Sequence, residues 1–378
     1  MGNRMRRRVM RWRGGWDAAV LFAAALVSVG RAADTRPATP PQGTLGFRLN
    51  RETNLPAGLP IDAVMPGGPA EKAGLKMGDV VLSVDDHPID RAHDDGMYIK
   101  GPPGSRSTLH VQRGSQTLDV IVARQDLSEA YKNALPVWRE QAMTAADSEA
   151  LYFLGAAYEH GLGVHTDLQQ ALMWYRKGAE AGNSDAMCAL GILYRKGLGV
   201  AKDDAQAVDW LRKAAGAGDS QAMVLLGFSY WSGRGVVQDY AQAVSWFRKG
   251  ADANNTFAMF ALGLAYEMGK GVGRDPTEAA KWFERAAEAG NADAMFDLGL
   301  MYEVGKGVGR DAAQAAKWFE KAADAGNADA MFDLGVMYEK GNGVGQDVAQ
   351  AIQWYRKAAA AGNASAQEAC RRLDGTWW

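Results

Sequence analysis

Residues 291–326 read NADAMFDLGLMYEVGKGVGRDAAQAAKWFEKAADAG, and residues 327–362 repeat that string with few changes. The tryptophan of this string recurs every 36 residues along the chain, at Trp174, Trp210, Trp246, Trp282, Trp318 and Trp354. A fixed period of this length indicates an array in which one supersecondary unit is copied. Six such units fill residues 147–362.

The first half of each unit has the spacing of an amphipathic helix. Ala294, Leu298 and Tyr302 recur every four residues and therefore share one apolar face. Asn291 precedes this run and is suited to cap the helix, because its side-chain oxygen can accept a free backbone N–H. A Gly-x-Gly-Val element follows, which ends the helix and lets the chain reverse.

A second helix is predicted in the other half of the unit. In the fourth unit Asp275 is placed as the cap, Pro276 stands at the first helical position, and Glu278 completes a capping box. Gly299 lies on the apolar face of a first helix, where the missing side chain would let the second helix approach closely.

The two ends of the array differ from its middle. A single helix pair cannot bury its own apolar stripe, so stacked pairs share one core and the outermost elements need polar outer faces. Trp138 lies 36 residues before Trp174, and residues 126–146 are therefore predicted to be a linker and an amino-terminal capping helix. Residues 363–378 are predicted to be a carboxy-terminal cap and tail.

The repeated pattern L-G-x-x-Y-x-x-G-x-G-V-x-x-D-x-x-x-A-x-x-W closely resembles the Sel-one-like repeat (SLR), a branch of the tetratricopeptide superfamily. The resemblance covers residues 147–362. It implies an all-α, right-handed α/α superhelical solenoid with a protein-binding or scaffolding role, and it does not imply an enzyme.

Residues 43–125 have a different residue pattern, in which short β-branched runs alternate with Gly- and Pro-containing turns. Within them, residues 65–84 read MPGGPAEKAGLKMGDVVLSV. This string resembles the core signature of the PDZ domains found in bacterial HtrA-type and carboxy-terminal processing proteases. The resemblance implies a small β-rich α+β domain in front of the solenoid.

The PDZ resemblance also implies a groove for peptides with free carboxy termini. A terminal carboxylate needs several backbone N–H donors that point at one spot, and an extended ligand can add as a strand to a sheet edge. The residues expected to form this groove are Thr44, Leu45, Gly46, Phe47, Arg48, Leu49, His93 and Met97. A PDZ fold without a working groove is the alternative.

The amino terminus has the features of an export signal. Residues 1–16 carry six arginines and no acid, and residues 18–30 form an apolar run that is too short to span a bilayer comfortably. We expect a signal peptide at residues 1–32 and a linker at residues 33–42, and hence a periplasmic or secreted protein. An uncleaved segment that anchors the chain in the inner membrane, facing the periplasm, is the alternative.

Several classes of function are disfavoured by the composition. The chain has five histidines and no Gly-x-Ser-x-Gly motif, and we predict no catalytic residues, no metal site and no cofactor. The formal net charge is −2, and no basic tract remains outside the signal, so nucleic acid is not an expected partner. Cys188 and Cys370 lie about five repeats apart in the solenoid, too far for a disulfide bond.

Acidic residues recur on the first helices of the last two units, and we consider them a possible partner-binding row: Asp293, Asp297, Asp329 and Asp333. In each helix the two carboxylates lie four residues apart, where like charges are mildly destabilising. The alternative is a solvated face whose acids pair with residues such as Lys281 and Lys317.

Together these features predict an exported, non-enzymatic adaptor. The PDZ domain would capture carboxy-terminal or extended peptides, and the concave face of the solenoid would bind a second protein. A scaffold for cell-envelope assembly or polysaccharide export is the second reading, and a β-lactam or cell-wall hydrolase is a remote third.

Overall fold

A computed structural model of the chain describes residues 43–44, 47–49, 59–89 and 104–374. The predicted signal peptide (1–32), the linker (33–42) and residues 375–378 of the tail lie outside these ranges. The chain divides between Ala253 and Asn254 into two compact units.

The first unit begins with a β-rich domain whose sheet is antiparallel throughout. Its strands and short helix are β1 (Gly43–Thr44), β2 (Phe47–Leu49), β3 (Leu59–Val64), α1 (Pro69–Lys72), β4 (Val80–Val84), β5 (His87–Pro88), β6 (Arg106–Arg113), β7 (Gln116–Ala123) and β8 (Gln125–Asp126). The strand order is β2-β3-β4-β6-β7, with β5 beside β4, and a separate two-stranded sheet joins β1 to β8.

The apolar positions of these strands form one buried core, which includes Leu59, Ile61, Val81, Leu109 and Val122. In β3 and β6 the buried residues recur with the period of two that places every second side chain on one face of a strand. The β-branched runs of the sequence therefore predicted the strands correctly.

Paired helices follow for the rest of the chain. The first unit continues with α2 (Leu127–Thr144), α3 (Ser148–His160), α4 (Leu168–Glu180), α5 (Ser184–Lys196), α6 (Asp204–Gly216), α7 (Ser220–Ser232) and α8 (Tyr240–Asp252). The second contains α9 (Thr256–Met268), α10 (Pro276–Glu288), α11 (Ala292–Val304), α12 (Ala312–Asp324), α13 (Ala328–Lys340), α14 (Val348–Ala360) and α15 (Ala364–Asp374). None of the helices in the described part of the chain is both long and apolar enough to cross a membrane.

Side-chain caps begin these helices as the sequence predicts. Asn291 Oδ1 accepts the backbone N–H of Ala294 at 2.8 Å. Asp275 Oδ1 accepts the backbone N–H groups of Thr277 and Glu278 at 2.9 and 3.0 Å, behind Pro276 at the first helical position.

The capping box predicted at Asp275 is only half formed. The Glu278 carboxylate accepts a hydrogen bond from Lys281 Nζ at 3.0 Å instead of reaching back to the cap. The backbone N–H of Asp275 is already used, because it donates to the carbonyl oxygen of Tyr266 at 3.0 Å. A bond of this kind recurs in every repeat, from Asp167, Asp203, Asp239, Asp311 and Asp347 to the tyrosine nine residues earlier.

The two glycines of each Gly-x-Gly turn have separate tasks. The first ends the helix in the left-handed conformation, as Gly305 does with φ +72°. The second lies against the backbone of the preceding repeat: a Cβ on Gly307 would be 2.1 Å from Pro276 O, and one on Gly343 would be 2.2 Å from Ala312 O. A side chain at either position would clash with main-chain atoms.

A third glycine series allows the two helices of each repeat to pack closely. A Cβ on Gly299 would lie 2.6 Å from Cε1 of Phe319, a ring that is completely buried between α11 and α12. Gly155, Gly191, Gly227, Gly263 and Gly335 face a Tyr, Leu or Phe side chain in the same way. The close approach inferred for Gly299 from the sequence is confirmed.

Gly299→Ala should lower the free energy of unfolding of the second unit by about 1–2 kcal/mol, measured by denaturant titration. Overpacking of a dense core costs roughly 1–3 kcal/mol, which exceeds what alanine gains over glycine in a helix. Gly309→Ala is the control, because a Cβ there meets nothing within 4 Å. Equal stability of the two variants would contradict this packing argument.

Candidate functional site

The β2 strand is the described part of the predicted peptide groove. It pairs antiparallel with β3, with Phe47 opposite Val64 and Leu49 opposite Ile61, and the register shifts between Arg48 and Leu49. It stands at the end of the sheet order, so β3 is its only paired neighbour among the strands that the structure describes. A strand in this position can accept an extended peptide as a further strand.

Residues 44–47 are the predicted carboxylate-binding loop of the groove, and the two ends of this loop are held by different sheets. At its start, Thr44 belongs to β1 and pairs with Gln125 of β8. At its end, Phe47 belongs to β2, and its partly buried ring packs against the core of the β domain. Leu45 and Gly46, which join these strands, lie outside the described residues.

His93 and Met97 also lie outside the described residues, as do the side-chain positions of Thr44, Arg48 and Leu49. The groove as a whole therefore stays a prediction.

An ion pair between buried Asp79 and partly exposed Arg113 stabilises the sheet of the β domain. Asp79 is 2 % exposed and accepts hydrogen bonds from Arg113 Nε and Nη2, both at 2.6 Å. The backbone N–H of Lys76 adds a third bond at 2.8 Å. These bonds, chiefly the two from Arg113, hold the pKa of the Asp79 carboxyl below its usual value. They join the α1–β4 turn to the end of β6.

A second polar cluster lies on the solvent side of the same sheet. His110 of β6 contacts Asp119 of β7 through Nδ1, and its Nε2 lies 3.2 Å from Asp86 Oδ1 in the β4–β5 turn. The hydrogen bond with Asp119, and then that with Asp86, raises the pKa of His110 above its ordinary value of 6.5. Protonated His110 thus connects the turn to the β6–β7 hairpin.

The proposed acidic row proves to be partly engaged within the solenoid. Asn327 donates through Nδ2 to Asp293 Oδ1 at 3.0 Å, and Asn363 donates in the same way to Asp329 at 2.9 Å. Each bond links the first helix of one repeat to the cap of the next. Asp293 and Asp329 are nevertheless exposed, and their neighbours Asp297 and Asp333 are half-buried.

The second helices carry a row of cation–π contacts that was not predicted from the sequence. In each repeat a Lys or Arg three residues after the tryptophan lies over its ring, at 4.1 Å from the ring centroid for Lys213 over Trp210. The spacing alone could have indicated these contacts, because residues three apart on a helix are neighbours. The other pairs are Lys177 with Trp174, Lys249 with Trp246, Arg285 with Trp282, Lys321 with Trp318 and Lys357 with Trp354.

The described residues contain neither a cluster suited to bind a metal ion nor an exposed thiol. No group of His, Cys, Asp and Glu there is arranged to hold a metal ion. Cys188 and Cys370 are both buried, and they are not joined in a disulfide bond. Burial raises the pKa of the Cys188 thiol well above its usual value, which keeps it protonated and unreactive.

Comparison with known families identifies both modules. The model of the Sel1 repeat matches six times in succession, at residues 148–183, 184–219, 220–255, 256–291, 292–327 and 328–363. The chain belongs to the Sel1 repeat family. A PDZ domain model matches residues 61–113.

Two curated relatives resemble only a small part of the chain. The carboxyl-terminal-processing peptidase 2 of Arabidopsis thaliana chloroplasts is 33% identical over 75 residues, which is 19% of this chain and 15% of the peptidase. A probable periplasmic serine endoprotease of the DegP-like type from Pseudomonas fulva is 39% identical over 87 residues, 21% of this chain and 18% of that protein. The chain thus spans less than a fifth of the length of either relative.

The solved structures that resemble the solenoid include two bacterial proteins. The c5321 protective antigen of uropathogenic Escherichia coli, which has an SLR fold, is 35% identical with a TM-score of 0.58, over 64% of this chain and 52% of the antigen. A Sel1 repeat protein from Oxalobacter formigenes is 31% identical with a TM-score of 0.55, over 61% of this chain and 92% of that one. The chain therefore combines a PDZ domain with a Sel1 solenoid, two modules that indicate protein–protein interaction.

His110→Gln should destabilise the β domain in acid but not in alkali. Because the folded-state pKa of His110 is raised, its stabilisation is fully present below the unfolded-state value and is lost as the pH rises through the folded-state value. Hydrogen exchange of the β4 and β6 amides, compared between variant and parent at about pH 5.5 and about pH 8.5, measures this. Asp119→Asn should remove most of the same difference, and a pH-independent effect of His110→Gln would contradict the assignment.

Proposed function

We propose that the protein is an exported, non-enzymatic adaptor that brings two proteins together. Its PDZ domain captures peptides with free carboxy termini or extended segments, and its Sel1 solenoid binds a second protein. The observation that carries the proposal is the position of β2 at the end of the sheet order, directly after the predicted carboxylate loop. The two interaction modules lie in one chain, which raises the local concentration of one ligand near the other.

Export is part of the proposal and rests on the sequence of residues 1–32. The amino-terminal sequence of the mature protein from an envelope fraction tests it, and the expected start lies after Ala32 or Ala33. A mature chain that retains residues 1–32 would favour the anchored alternative instead.

The pairing of the strands that flank the carboxylate-binding loop supports peptide binding by the PDZ domain. The strands on either side of the loop are held by β8 and by β3, so both ends of the loop have paired neighbours in the sheets. A preorganised site loses less conformational entropy when it binds. One relative of this domain is a carboxyl-terminal-processing peptidase, which is consistent with a carboxy-terminal peptide as ligand.

Gly46→Glu should abolish binding of the full chain to free-carboxylate peptides, measured by screening a random peptide library and titrating the strongest binders. A side chain and a negative charge at the centre of the loop would obstruct and repel the terminal carboxylate. The control is the same peptides with amidated carboxy termini, which the parent chain should bind at least about tenfold more weakly.

Selective binding that survives in Gly46→Glu would place the peptide elsewhere on the chain. The absence of binding to any library member would reject the PDZ arm and leave the solenoid as the interaction surface.

For the solenoid arm we propose that the row of Asp293, Asp297, Asp329 and Asp333 contacts a basic partner. These residues lie on α11 and α13, and the carboxylates of Asp293 and Asp329 are held in place by Asn327 and Asn363. Fixed carboxylates lose little side-chain entropy on binding a cation.

The double variant Asp297→Lys, Asp333→Lys should weaken capture of the solenoid partner from an envelope extract by about tenfold or more, because opposed charges become like charges. Lys317→Glu, which adds a negative charge on the second helix α12, is the matched control and should leave capture unchanged. Unchanged capture by the double variant would reject the acidic row as the binding surface.

A further inference from the structure

The PDZ domain and the solenoid are joined without a flexible linker. Strand β8 ends at Asp126 and helix α2 begins at Leu127. Asp126 belongs to both modules, because it pairs with Gly43 of β1 and its Oδ1 accepts the backbone N–H of Glu129 as the cap of α2. The start of α2 is thus built into the β1–β8 ladder.

The PDZ domain also packs against the side of α2. Met65, in the turn that follows β3, is partly buried in an apolar cluster with Leu135 and Trp138. The backbone of the same turn lies close to the helix, since a Cβ on Gly67 would be 3.7 Å from the carbonyl oxygen of Asn133. One face of α2 is therefore covered by the PDZ domain.

Helix α2 also contacts the first Sel1 repeat, and this contact has the same sequence spacing as the contacts between successive repeats. A Cβ on Gly163 would be 2.5 Å from the backbone nitrogen of Lys132, 31 residues earlier. Gly199 stands in the same relation to Leu168. Helix α2 therefore takes the place of a second helix in front of the first repeat.

Aromatic packing completes the contact with the first repeat. The ring of Trp138 stacks on Phe153 of α3 at a centroid distance of 5.0 Å and is 2 % exposed. The backbone N–H of Gly163 donates to Ser128 Oγ at 3.1 Å, close to the start of α2.

Helix α2 is intrinsically weak, because Pro136 lies in its interior. Proline removes one helical hydrogen bond and clashes with the preceding turn, which costs about 3 kcal/mol relative to alanine. A helix with such a break depends on its tertiary contacts, and here those contacts come from two different modules.

We propose that α2 is a coupling element that transmits order between the peptide-binding edge of the PDZ domain and the first Sel1 repeat. Strand β1 pairs with β8, which runs directly into α2. Only residues 45 and 46 separate β1 from β2. A peptide that stabilises β1 and β2 therefore stabilises the β1–β8 ladder and with it the cap of α2. By thermodynamic linkage, a partner that stabilises the first repeat strengthens peptide binding in turn. This inference rests on the proposed peptide binding, but its central test does not require a peptide.

The test is hydrogen exchange of the full chain, followed by mass spectrometry, with one variant on each side of α2. Met65→Ala removes a contact from the PDZ side and should speed exchange in both α2 and α3 by about fivefold or more. Met77→Ala is the matched control, because Met77 is 73% exposed in the same domain. It should change neither helix.

The second variant approaches α2 from the solenoid. Phe153→Ala should speed exchange in α2 and also in β1 and β8 of the PDZ domain. Phe332→Ala, the same change in the sixth repeat, is its control and should leave β1 and β8 unaltered. If each variant affected only the module in which it lies, the coupling would be disproved.

The strongest peptide from the library screen then tests the ligand-dependent part. Added to the parent chain, it should slow exchange in α2, and not only in β2 and β3. A peptide that binds without changing α2 would overturn the coupling and leave the proposed peptide binding intact. If no peptide binds, the proposed PDZ function fails, and the two pairs of variants still decide whether α2 couples the modules.

Discussion

The close approach of one repeat to the backbone of the previous one is the constraint on which the solenoid depends. Where a Cβ on Gly235 would lie 2.0 Å from the carbonyl oxygen of Asp204, no residue except glycine fits without moving the main chain. Because this contact joins backbone to backbone, it fixes the rotation and spacing of successive helix pairs more firmly than side-chain packing would. The apolar clusters and the Asn–Asp hydrogen bonds then stabilise an arrangement of helices that the backbone contacts already determine.

The same constraint explains why the loops of this array do not vary. Every turn between the two helices of a repeat runs from a C-capping glycine to an aspartate that caps the next helix, as from Gly305 to Asp311. Its second glycine is held by the preceding repeat and its aspartate by a tyrosine carbonyl. No position in the turn can be lengthened without breaking one of these contacts, so differences in recognition between repeats must lie on the helix faces.

The sequence predicted the helices, their caps and the packing glycines because six copies sample the same local physics. The predicted hydrogen bond from the backbone N–H of Asp275 to the Glu278 side chain was wrong. A local motif does not show that this N–H donates to the carbonyl oxygen of Tyr266 instead. The sequence also did not predict the pairing of β1 with β8, which joins residues that are distant in the chain. The resemblance to PDZ domains predicted that β2 lies at the edge of the sheet. The hydrogen bond from Asn327 to Asp293 could not be predicted in this way, because it joins residues that are 34 positions apart.

Arg195 shows the same limit of local patterns. It occupies the position that Glu159 has in the first repeat, where a charged side chain would be expected on the surface. The structure buries it at 4 % exposure, with Nη2 donating to Ser229 Oγ at 3.0 Å in the next repeat, and desolvation lowers its pKa to about 10. The hydroxyl that makes this burial tolerable lies 34 residues away, beyond the reach of any helical period.

The direct passage from Asp126 into α2 leaves no flexible tether between the PDZ domain and the first repeat. A flexible tether would let two bound ligands meet over a broad range of separations, whereas a stiff junction favours one separation and penalises all others. If the PDZ domain binds peptides as proposed, a client that also contacts the first repeat would have to present its free carboxy terminus at one distance from that contact. The chain would then select among such clients by their size and shape as well as by their terminal residues.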